Sequence, residues 1–214
     1  MVKIFAHRGF ATKHCPENSI LALKKAHEMK FDGVEFDLWF IDGEFVVVHD
    51  HPSHKQIKNL PRLADFLQFH NDFYYWLDFK NLNSQNYIAA ISRVRQDIIL
   101  SKIDLDRFYF APYIDNYNFA KEVFYQARRL IDKKLKITAI FQDKNKYQQL
   151  KSLIKNENIN HLSIQYELIN KDLIKDMRGK ELLAWTIKSK YCFDKISSMG
   201  VKICASDIII PKSL

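Results

Sequence analysis

The chain has 214 residues, 47% hydrophobic and 27% charged, a length and balance that allow one substantial core and exclude global disorder. Its formal charge of +8 favours anionic partners such as phosphates, but lysines and acids are interspersed along the chain, which argues against a dedicated nucleic-acid surface. No run reaches the roughly 18 apolar residues of a membrane span, so no stable membrane insertion is expected.

The first strand candidate, VKIFA (2–6), is followed by an amphipathic stretch, NSILALKKAHEM (18–29). GVEFDLW (33–39) and EFVVVH (44–49) come next, separated by a few residues that carry the hairpin signal Asp42-Gly43. A parallel crossover does not fit there, so part of this segment pairs antiparallel or crosses a barrel mouth. LPRLADFLQFH (60–70) then leads to the strand candidate YYWLDFK (74–80), and SQNYIAAISRVRQDI (84–98) to RFYFAPY (107–113). The alternation continues with NYNFAKEVFYQARRLID (116–132), KITAIF (136–141), DKNKYQQLKSLIKN (143–156), HLSIQY (161–166), NKDLIKDM (170–177), LLAWTI (182–187), KYCFDKISSM (190–199) and VKICAS (201–206). Strands separated by helix-length segments read as βαβ units on a parallel sheet. Sustained over residues 1–214, the pattern predicts a single α/β domain, a TIM (β/α)8 barrel. Nine strand candidates compete for eight barrel positions, so one is peripheral or misassigned.

Cys15, Cys192 and Cys204 are odd in number and lack C-x-x-C spacing, against both a disulfide framework and a zinc knuckle. With MVKIFAHRGF opening on a candidate core strand and no apolar leader run, a cytoplasmic protein is expected.

Alternation along 33–39 points Glu35 and Asp37 one way and Val34, Phe36 and Leu38 the other. Burying two ionised carboxylates without a partner costs several kcal/mol each. Two explanations compete: a lysine or arginine neighbour, or a hard divalent cation that takes oxygen ligands. Other elements bear on the choice. His7 and Arg8 end the first strand, where parallel α/β folds place their sites, although alone His7 is more often structural and Arg8 more often a surface cation. Pro16, Glu17, Asn18 and Ser19 open the first helix, where Asn18 or Ser19 can equally be its cap. His49 and Asp50 close the third strand, and Asp78 and Lys80 lie two apart on the fourth. Successive elements thus bring polar groups to one mouth.

In this order, HRG (7–9), PENS (16–19), E-x-D (35–37), VVHD (47–50) and the acid-x-Lys pair 78–80 resemble the glycerophosphodiester phosphodiesterase family. Its members are metal-dependent, PLC-like phosphodiesterase TIM barrels that cleave glycerophosphodiesters to an alcohol and glycerol 3-phosphate. AWTIKS (184–189) and GVKICASDIIIP (200–211) resemble the family's late W-T strand and its final glycine, T-D and proline segment; 90–175 is the least diagnostic stretch. The resemblance implies one divalent cation, Mg2+ or Ca2+, on Glu35, Asp37 and Asp78. It makes His7 and His49 an acid/base pair and puts Arg8 and Lys80 on the phosphate. Asn18 and Glu17 would support substrate binding, and Trp185 would give an apolar wall, a core role for that tryptophan being equally open. The implied substrate is a small glycerophosphodiester or a lipid-derived phosphodiester.

Two departures stand out. Asp78 occupies a place where the family usually has glutamate, as in the related spider-toxin phospholipase D enzymes. After His49-Asp50 the usual insertion is missing, and HDHPSHKQIKNLPRLADFL (49–67) passes almost directly into a helix, with His51 and His54 either touching substrate or simply solvated. The mouth of such a short form is more open, so a lysophospholipid or a glycan-linked glycerol phosphate also comes into range. A phospholipase D-like enzyme would need an exposed apolar lip, for which Trp39 and Phe40 are the nearby candidates. A barrel that binds a phosphorylated ligand without turnover is the further alternative. Oligomeric state is not legible.

Overall fold

The computed structural model describes residues 1–68, 73–114 and 116–211. All nine strand candidates form: β1 (Lys3–His7), β2 (Gly33–Ile41), β3 (Glu44–Val47), β4 (Tyr74–Phe79), β5 (Phe108–Pro112), β6 (Lys136–Phe141), β7 (His161–Gln165), β8 (Glu181–Ile187) and β9 (Ile203–Ser206). Between them lie α1 (Ile20–Glu28), α2 (His54–Ile57), α3 (Leu63–Leu67), α4 (Tyr87–Ser101), α5 (Tyr117–Leu130), α6 (Tyr147–Asn156), α7 (Lys171–Asp176) and α8 (Lys190–Ser198). The last two residues of the helix expected over 60–70 fall outside the described residues. Among the described residues no helix is long and apolar enough to cross a membrane.

Eight strands run parallel, and β1 pairs with both β2 and β9, closing the sheet into the expected (β/α)8 barrel. The ninth strand is β3, the antiparallel partner of β2 (Leu38↔Val47 to Ile41↔Glu44). Asp42 and Gly43 both take positive φ, 50° and 82°, the hairpin geometry their sequence signals. β4 pairs with β2 over Gly33–Leu38, while β1 takes the first part of β2 (Gly33–Glu35) and β3 the last. The hairpin therefore rises past the barrel rim and returns, bringing His49 back to the mouth.

The pleat sorts side chains into two layers. Val34, Phe36 and Leu38, with Tyr75, Leu77 and Phe79, pack outward against the helices. Phe5, Trp76, Tyr109, Ala111, Leu183, Ile203 and Ala205 fill the lumen. Gly33 is required by this filling, because a Cβ there would lie 2.8 Å from the Phe5 ring and 2.5 Å from the Tyr74 carbonyl oxygen. At the amino ends of the strands the Tyr109 hydroxyl donates to the Glu181 carboxylate at 3.1 Å, and the Lys3 ammonium lies 3.5 Å from the centre of the Tyr74 ring. With its lower and middle levels occupied, the barrel leaves room for ligand at its carboxyl end.

Candidate active site

Strand register builds the site. His7 on β1 is the neighbour of Glu35 on β2, and Asp37 is the neighbour of Asp78 on β4. Like charges side by side repel, so the arrangement requires a cation. Lys80, just past β4, supplies one: its ammonium lies 2.7 Å from Asp37 Oδ1 and 2.6 Å from Asp78 Oδ2. Arg8 supplies another, with Nε 3.1 Å from Asp37 Oδ2 and a guanidinium nitrogen donating to Glu17 at 3.1 Å. Arg8 adopts a left-handed backbone (φ 54°), from which its N–H donates to Glu35 Oε2 at 3.0 Å. Asn18 is left-handed as well, and its amide group both donates to Asp37 Oδ2 at 2.9 Å and accepts the Asp37 N–H at 3.3 Å. Non-glycine residues held in this region of backbone space concentrate at functional sites. Ser19, not Asn18, caps α1, its hydroxyl accepting the Ala22 N–H at 3.1 Å.

These contacts divide the three acids. Burial works against the charge of Asp37, but Lys80, Arg8 and the Asn18 amide together hold it below the ordinary carboxylate range. Burial dominates at Glu35 and, with Asp37 close by, pushes it up to about 8. Asp78 is also raised by burial, even with the Lys80 ammonium against it. Its Oδ1 is buried and has no hydrogen-bond partner among the described residues. Ligand oxygens of Glu35, Asp37 and Asp78 lie within 4.8 Å of one another. Three hard donors, of which Glu35 and Asp78 are raised by burial and Asp78 also carries the orphaned oxygen, suit a cation such as Mg2+ or Ca2+. The salt-bridge explanation thus holds at Asp37, which pairs with both Lys80 and Arg8.

His7 donates or accepts at both ring nitrogens. Nδ1 lies 2.7 Å from Asp207 Oδ1, and Nε2 lies 3.3 Å from Thr186 Oγ1 and 3.8 Å from Glu35 Oε2. Burial alone would lower its pKa, but Glu35 and the Asp207 hydrogen bond raise it. His49 is more open, its side chain 41% exposed, with Nδ1 2.8 Å from Asp50 Oδ1. The Trp39 indole N–H donates to the His49 carbonyl at 3.1 Å, and its ring meets His51 edge-on at 4.9 Å. Trp39 and Phe40 are half-buried, and Phe40 packs on Phe45, so neither forms an exposed apolar lip.

A cavity of 280 Å3 is lined by His7, Arg8, Glu35, Asp37, His49, Asp78, Lys80 and Trp185, so eight of the ten residues singled out in the sequence face it. Glu17 and Asn18 instead stand behind it, holding Arg8 and Asp37. Trp185 both lines the cavity and packs on the lumen cluster, and its buried indole N–H has no partner among the described residues. Asp207 and Thr186 escaped sequence reasoning. The S-D pair that ends β9 was a visible signal for Asp207, but its partner lies 200 residues away.

Residues 7–65 match the Glycerophosphoryl diester phosphodiesterase family. That stretch holds His7, Arg8, Glu35, Asp37 and His49, and within the chain a 64-residue segment is 48% identical to a glycerophosphodiester phosphodiesterase of Caldanaerobacter subterraneus. Over this stretch the chain is similar to the glycerophosphodiester phosphodiesterases, the resemblance already carried by its motifs. The Caldanaerobacter alignment spans 29% of this chain and 26% of that enzyme. The likeness of fold extends over the rest. A glycerophosphodiester phosphodiesterase from Parabacteroides distasonis superposes with a TM-score of 0.80 at 20% identity, covering 99% of this chain and 94% of that one. A phosphodiesterase from Oleispira antarctica, solved with sn-glycerol-3-phosphate as product, superposes with a TM-score of 0.77 at 16% identity, covering 96% and 92%. At these identities the structural likeness concerns the fold.

Proposed function

We propose that the protein is a metal-dependent phosphodiester hydrolase that cleaves a glycerophosphodiester to an alcohol and glycerol 3-phosphate. The observation that carries this reading is the cluster of three carboxylates whose oxygens lie within 4.8 Å, set in one cavity with two histidines, an arginine and a lysine. The family match over residues 7–65 and the product found in the Oleispira antarctica structure support the substrate class. Glu35, Asp37 and Asp78 would hold Mg2+ or Ca2+, which when bound draws charge off the non-bridging phosphoryl oxygens.

The chain's own groups do the rest. Arg8 and Lys80 place positive charge beside the phosphate, where hydrolysis of an anionic diester needs it. Asp207 at 2.7 Å keeps the His7 Nδ1 proton in place and leaves Nε2 to exchange a proton at the cavity side. His49 lines the same cavity and exchanges the second proton, so one imidazole accepts from the attacking water while the other protonates the leaving oxygen. The unpartnered Trp185 N–H offers a donor to a substrate oxygen. The same reading makes the chain a single-domain enzyme of the reducing cytoplasm, where Cys15, Cys192 and Cys204, all unpaired, stay reduced.

The test is a panel of glycerophosphodiesters and lysophospholipids incubated with Mg2+, Ca2+ or EDTA, with glycerol 3-phosphate detected by coupled oxidation. Release of glycerol 3-phosphate that stops in EDTA is expected; release that continues unchanged in EDTA contradicts the metal role.

A further inference from the structure

A second cavity, of 380 Å3, adjoins the catalytic one, and Tyr113, Ile140 and Gln142 line both. The Gln142 side-chain amide donates to the Tyr113 hydroxyl at 3.1 Å, so the wall between the cavities is a hydrogen-bonded pair at the carboxyl ends of β5 and β6. Beyond that wall the floor of the cavity is lined by Ala120 and Phe124 of α5, Ala139 and Phe141 of β6 and Leu153 of α6, every one of them buried, and its rim by the polar side chains of Tyr117, Lys146 and Gln165. Ala120 and Ala139 are small side chains among these larger ones. The volume lies in the range of small-molecule pockets. Asp143 is the carboxylate among its lining residues, but it accepts the Asn145 N–H at 2.9 Å and stands with Lys146 on the same rim, so the cavity offers no excess negative charge to an ammonium group.

We infer, on the phosphodiester reading above, that this second cavity receives the alcohol arm of the substrate, and that the arm it fits has an apolar alkyl or aryl body. With phosphorus held at the barrel mouth, the two ester arms leave it in different directions. The glycerol arm stays over the lumen, and the other crosses the Tyr113–Gln142 wall. Water adds across the P–O bond to that second arm: the water oxygen ends on phosphorus, and the alcohol departs carrying a proton. Specificity then resides in α5, β6 and α6, in the part of the sequence with least family signature.

Hexyl phosphate and methyl phosphate, titrated by calorimetry into the Mg2+-supplemented protein, test the site independently of turnover. Wild type is expected to bind hexyl phosphate at least about tenfold more tightly, a factor that burial of two methylene groups supplies. Ala120→Phe and Ala139→Leu are each expected to remove that gain, and circular dichroism melts identify which variant is folded. Equal affinities in wild type, or a hexyl gain that persists in a folded variant, overturns the inference. In parallel, kcat/KM for glycerophosphohexanol relative to glycerophosphoglycerol is expected to fall about tenfold in the folded variant. If neither diester is cleaved, the hydrolase reading fails while the calorimetry still decides the cavity.

Discussion

Replacing Glu35 by glutamine measures what the buried acid costs the fold when no cation is bound. Glu35 is 4% exposed, and burial together with neighbouring Asp37 pushes it from an ordinary 4.5 up to about 8. Between those values the folded state keeps a proton that the unfolded chain has released, so the Glu35 contribution to stability falls as pH rises through this window. At pH 7 the cost is about 3 kcal/mol, from a difference of about 2.5 pH units above the unfolded value, and at pH 5 it is less than about 1 kcal/mol. Glutamine keeps an oxygen for the Arg8 N–H, now 3.0 Å from Oε2, and cannot ionise. In EDTA, Glu35→Gln is therefore expected to melt higher than wild type by roughly 6 to 12 °C at pH 7, at about 2–4 °C per kcal/mol for a chain of this size. The gap should widen slightly at pH 8 and nearly close at pH 5. With Mg2+ or Ca2+ about a thousandfold above its Kd the order should reverse, because wild type then gains about 4.1 kcal/mol, more than the cost at pH 7, and the variant has lost one anionic donor. Thermal melts followed by circular dichroism at the three pH values decide it. A variant no more stable than wild type in EDTA, or a gap that ignores pH, would mean that Glu35 is charged and compensated without a metal.

Three further outcomes are expected. His7→Asn and His49→Asn should each lower kcat by about 10²–10⁴-fold with far-UV circular dichroism unchanged, and near-normal turnover in either removes that residue from the proton exchange. Asp207 helps hold the His7 pKa up against burial, so Asp207→Asn should lower kcat and move the His7 limb of the pH–rate profile to lower pH; an unmoved limb rules out this positioning role. Gly33→Ala would press a methyl group against the Tyr74 carbonyl oxygen at 2.5 Å and should cost about 1–3 kcal/mol in urea unfolding, whereas a neutral effect would show that the lumen can yield there.

The strands were legible because each is a short apolar run bounded by turn residues, and the Asp42-Gly43 turn marked the one that leaves the barrel. At the mouth, period-two alternation alone placed Glu35 with Asp37 and Asp78 with Lys80. What local pattern does not carry is which strands are neighbours. The contact between His7 and Asp207 depends on β1 meeting β9 with Ala6 beside Ser206, a pairing of opposite ends of the chain. The same holds for Lys80 bridging Asp37 and Asp78, which depends on β2 lying against β4. α2 spans four residues, too few for helical periodicity to show. The second cavity is lined by Ala120 of α5 and Ala139 of β6, and nothing in the sequence distinguishes them from ordinary helix and strand alanines.

The most direct test of the central claim is phosphorus NMR of glycerophosphoglycerol incubated with the protein, first in EDTA and then after Mg2+ or Ca2+ is added in excess. The expected record is a diester resonance that persists in EDTA and converts after the addition to the monoester resonance of glycerol 3-phosphate, with Glu35→Gln leaving the diester intact throughout. Conversion at the same rate before and after the addition, or equal conversion by wild type and Glu35→Gln, contradicts it.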